Sequence, residues 1–167
     1  MKEKFVDANA QLAELIELVL IRLKKGDTTF SDINLDELFL VNKYHHFREP
    51  YREMLVKIVF LSDDNPIKKK AYAFIAKIIE ATGEFDVSVI LAMTYHQISS
   101  LTADLLCKYA NEIGSEGVVG YIIYNTLKSR LDAGIHHDVV HKTRHELSSD
   151  EEMMLRKIVA EFRQFAR

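Results

Sequence analysis

Leu12, Leu15, Ile16, Val19, Leu20 and Leu23 recur at the 3.6-residue period of an α-helix, and most of the chain repeats this pattern in other segments. Turn-forming residues are scarce: the 167 residues include only 6 Gly and 2 Pro. A β-sandwich or barrel needs a turn about every ten residues, so this chain is expected to be all-α. The pattern predicts a compact multi-helix bundle of about eight helices in a single domain over residues 1–167. A chain of this length buries roughly 70% of the surface its unfolded form exposes, so it folds without a metal or disulfide.

The first helix is predicted over Asn9 to Lys25, with Gly26 supplying its left-handed C-terminal residue. A second is expected from Asp32 or Asn34 to His46, and a third from Pro50 to Leu61. Asn65 and Pro66 form a start signal, cap then first helical residue, for a helix that ends at Gly83. Residues 87–113 are apolar on nearly every side and predict a central helix, with a bend at Ser99-Ser100. Further helices are expected over Glu116 to Ala133, ended by Gly134, and over Ile135 to Glu146. The last begins with a capping box of Ser149 and Glu152.

The net charge of −3 and a pI near 6.2 argue against non-specific binding to nucleic acid or anionic membrane. Lys68, Lys69 and Lys70 form a short basic run, and Lys128, Arg130, Lys142 and Arg144 are interleaved with Asp132, Asp138 and Glu146. One cysteine, Cys107, excludes an internal disulfide framework and suits a reducing compartment. Its neighbours Leu105, Leu106 and Tyr109 predict an unreactive core thiol. With no apolar leader at the N-terminus and no uninterrupted apolar span, a cytoplasmic location is expected.

Candidate chemistry is sparse. His137, His141 and His145 fall at i, i+4 and i+8, so on a helix they share one face, and imidazoles one turn apart can hold Zn²⁺ or Ni²⁺. That stripe faces away from Ile135, Val139, Thr143 and Leu147, which makes a solvated polar face the simpler expectation. The His137-Asp138 pair is also found in metal-dependent phosphohydrolases. Only 29 residues follow Asp138 here, too few for the later helix and distal aspartate of such enzymes. Asp36-Glu37, Asp63-Asp64 and Glu151-Glu152 fall at helix starts, where acids serve as caps. No cofactor is expected.

Surplus apolar positions are the other lead. Leu18 and Ile21 fall on the polar back of the first helix, and Tyr121 and Tyr124 are candidate aromatic anchors. The expectation is a non-enzymatic adaptor, regulator or inhibitor that binds a protein partner or forms a homodimer. The alternative is a metal-binding enzyme or sensor using the histidine cluster at 136–145.

Overall fold

A computed structural model of the chain describes residues 8–95, 98–113, 117–135 and 148–163. These form eight α-helices and no strand among the described residues: α1 (Ala8–Lys24), α2 (Leu35–Leu38), α3 (Arg48–Ile58), α4 (Pro66–Thr82), α5 (Val87–Tyr95), α6 (Ser100–Ile113), α7 (Gly117–Ile135) and α8 (Ser149–Arg163). A single 3₁₀ turn, Val41–Lys43, lies between α2 and α3. The chain makes two compact units, residues 1–77 and 78–167, and the division falls inside α4.

In the first unit, α1 packs against α2 and α3. Leu12, Ile16, Val19 and Leu20 bury the predicted face of α1, and Gly26 ends the segment at φ +81°. Met54, Leu55, Ile58 and Val59 are buried as the α3 pattern requires. The start of α4 also follows the sequence: Asn65 Oδ1 accepts the Ile67 N–H at 3.1 Å, and Pro66 is the first helical residue. Pro50 sits inside the first turn of α3, where a missing N–H costs no helical bond.

The helix expected from residue 32 or 34 to His46 does not form. Asn34 caps α2 through its bond from the Asp36 N–H (3.0 Å), but α2 ends at Leu38. The cause is Tyr51, fully buried on α3. Its hydroxyl donates to the Leu38 carbonyl (2.8 Å) and accepts the Leu40 N–H (3.2 Å), taking up backbone groups that a longer helix would need. The Phe74 ring packs against Phe39, Tyr44 and Tyr51 at centroid distances of 5.4, 6.1 and 4.8 Å, fixing the irregular stretch to the core.

In the second unit, α7 packs against α5 and α8, and α6 against α8. The expected helix over 87–113 is two helices: α5 stops at Tyr95, Ile98 and Ser99 are not helical, and α6 starts at Ser100. The Ser99 hydroxyl accepts the Thr102 N–H at 3.3 Å, so Ser99 caps a new helix and does not merely bend an old one. Helix α7 continues through Gly134 to Ile135, one residue past its expected stop. At α8 the cap is Ser148, one residue earlier than expected, with Oγ accepting the Glu151 N–H at 3.1 Å. Leu155, Ile158, Val159 and Phe162 bury the predicted face of α8.

Candidate interaction surface

The apolar stripe of α1 is wider than its core contacts require. Leu18, on the back of the helix, stays 39% exposed, and half-buried Leu15 stands between it and the buried stripe. Because α2 lasts only one turn, it lies along this side of α1 without covering it. The result is an open groove of about 720 Å³ between the two helices, within the range of roughly 300–1,000 Å³ typical of ligand-sized sites. Leu12, Leu15 and Leu18 from α1 and Leu40 from beyond α2 supply its apolar lining, with Ala8 at one end. Gln11, Glu14, Asp36 and Glu37 supply the polar part.

The groove is anionic. Asp36 bonds Lys70 at 2.8 Å, while Glu14 and Glu37 make no ion pair among the described residues. Close by on α1, Arg22 is committed to Asp32 through two bonds of 2.6 Å. That contact draws the Asp32 carboxyl down to about 2, mainly through its bonds from the guanidinium.

A second cleft in this unit, about 600 Å³, lies where the 28–35 segment meets the start of α4. Phe30, Ile33, Leu35 and Ile67 line it, with Thr28, Ser62 and Asn65 among its polar residues. Its best hydrogen-bonding group is already used. Asn65 caps α4 with Oδ1 and donates Nδ2 to the Thr28 carbonyl at 2.9 Å. This cleft therefore reads as a capped loop junction, and the α1–α2 groove is the better candidate.

The sequence-derived candidates are placed as follows. Leu18 lines the groove. Ile21, 43% exposed, lies outside its lining, on the far side of α1 from the buried stripe. In the second unit Tyr121 is 53% exposed beside the exposed Ile122, while Tyr124 is half-buried. His137, His141 and His145 lie outside the described residues, as does the rest of the cluster at 136–145. Among the described residues no group of three or more His, Cys, Asp or Glu side chains is arranged to hold a metal ion.

Ala8, Gln11, Glu14, Asp36, Glu37 and Leu40 are groove residues that sequence reasoning did not single out for binding. The apolar run Phe39-Leu40-Val41 was the available signal, but it reads as ordinary helix interior until the early end of α2 is known.

Four of the basic residues noted in the sequence are held by other groups. Lys68 is buried, bonding Asp63 at 3.0 Å and the Leu61 carbonyl at 2.8 Å, and Lys70 is held by Asp36. Lys128 pairs with Asp132 at 3.0 Å, and Arg130 donates to the Thr94 carbonyl at 2.6 Å. Burial lowers the Arg130 pKa, with nearby Glu151 acting in the opposite direction. Burial likewise raises the pKa of the Cys107 thiol, which sits half-buried on α6. Among the described residues no helix is long and apolar enough to cross a membrane. No family model matches the chain, and no curated protein or solved structure matches it either.

Proposed function

We propose that this chain is a non-catalytic helical interaction protein, an adaptor, regulator or inhibitor, whose working surface is the α1–α2 groove. The observation that carries the reading is Leu18, a large apolar side chain left 39% exposed in the wall of an apolar groove. Isolated exposed leucines are common, but one that continues a concave surface with Leu12, Leu15 and Leu40 has the form of an anchor site. A partner that covers it gains roughly 25 cal/mol for each Å² of apolar surface removed from water. The partner is a protein, and the expected setting is the cytoplasm.

Site-directed photo-crosslinking in native cells tests this. A photoreactive amino acid replaces Gln11 inside the groove or, as a control, the exposed Asn125 on α7. The expected result is a discrete adduct from position 11 only, lost when Leu18→Glu is added. Equal adducts from both positions, no adduct at 11, or an adduct indifferent to Leu18→Glu would each refute the groove as the working surface.

A further inference from the structure

We infer that the α1–α2 groove takes a short amphipathic helix whose apolar stripe is flanked by lysine or arginine. This rests on the interaction reading above and adds the chemistry of the partner. An α-helix with its side chains is about 10–12 Å across, so an open groove of about 720 Å³ admits one face of it and not the whole cylinder. Helices that bind this way seat residues at i, i+3, i+4 and i+7 in an apolar floor. Leu12, Leu15, Leu18 and Leu40 provide such a floor.

The rim selects the flanking charge. Glu14 stands on the α1 side and Glu37 on the α2 side, both exposed and neither in an ion pair among the described residues. Asp36 adds a third carboxylate, shared with Lys70. Carboxylates on both walls favour a cationic helix and repel an acidic one, which supplies specificity and a faster encounter more than raw affinity.

The test is fluorescence anisotropy on the full chain with three labelled helical peptides of about 18 residues, long enough to form a helix when bound. The first carries a leucine stripe flanked by lysines, the second has glutamates in place of the lysines, and the third scrambles the first. The lysine peptide is expected to bind at least about tenfold more tightly than either of the others. Leu18→Glu should weaken it by at least about tenfold. The double change Glu14→Lys with Glu37→Lys should weaken it by about tenfold and reverse the preference between lysine and glutamate peptides. Circular dichroism of each variant checks that the fold is retained.

No binding of the lysine peptide, equal binding of the scrambled peptide, or indifference to the double charge change overturns the inference about the partner. A dimer of the chain that dissociates on Leu18→Glu and excludes the peptide also overturns it. The interaction reading falls separately, on the cross-linking result.

Discussion

Glu151 accepts the backbone N–H of Ile98 at 3.0 Å, tying the first turn of α8 to the break between α5 and α6, 53 residues earlier in the chain. Arg130 on α7 joins the same point. Its guanidinium donates to the Thr94 carbonyl at 2.6 Å and stands 3.8 Å from the Glu151 carboxylate. Backbone groups freed by ending α5 early are thus met by side chains from α7 and α8. Glu151→Ala removes the acceptor from a buried N–H and the counter-charge from Arg130, and should cost about 2–3 kcal/mol. Glu151→Gln keeps a carbonyl acceptor and should cost about half as much. Urea unfolding of the two variants checks the order, and equal losses would argue against the role given to the acceptor oxygen.

Lys68 and Asp63 give a sharper contrast. Lys68 is only 2% exposed, and its ammonium is met by Asp63, the Leu61 carbonyl and the face of Tyr72, 5.4 Å from the ring centroid. Removing one partner of a buried pair strands the other charge, at a cost of about 3–5 kcal/mol when burial is complete. Asp63 is partly exposed, so Asp63→Ala should cost less than that, about 2–3 kcal/mol. Lys68→Met removes the buried charge itself and should cost less than Asp63→Ala. The two midpoints of urea unfolding decide it.

Acid sensitivity should trace in part to Asp32. The Arg22 guanidinium lowers its carboxyl from 3.8 to about 2 in the folded chain, so over that interval the unfolded chain binds more protons. The pair's stabilisation is therefore present above the ordinary carboxylate range and lost as the pH falls from 3.8 towards about 2. Asp32 is exposed, so the amplitude should be small and screened by salt. Against Asp32→Asn, the wild-type advantage in urea midpoint should be constant above about pH 5 and shrink on acidification below about pH 4.

Cys107 should be a slow nucleophile. Burial raises its thiol pKa, which depletes the reactive thiolate at neutral pH; Lys157 lowers it, opposed by Glu161 and Asp104. Ellman's reagent should label the native protein at least about tenfold more slowly than the urea-unfolded chain at pH 7. Equal rates would contradict a sheltered thiol.

Local signals located the helices that depend on local causes. Gly26 ends the α1 segment, Asn65 and Pro66 begin α4, and the apolar stripe of α8 lies where its spacing places it. Departures arise where a distant side chain outbids the helix for its backbone groups. Tyr51 does so at Leu38 and Leu40, and Glu151 and Arg130 do so around the end of α5. The one-residue shift at the start of α8 has the same root: Glu151 is turned inward to Ile98, and Ser148 takes the cap. Leu18 was legible as a surplus apolar residue, whereas the opposite wall of its groove depends on where α2 stops. Spacing within one segment cannot encode that.

The decisive measurement is an NMR titration of the labelled full chain with the lysine-flanked amphipathic peptide, following backbone amide shifts. If the α1–α2 groove is the working surface, saturable shifts should concentrate at Gln11, Glu14, Leu15, Leu18, Asp36, Glu37 and Leu40. Shifts centred instead on Tyr121 and Ile122, on the Thr28–Ile33 cleft, or spread evenly over the chain would show that the groove is not where this protein binds.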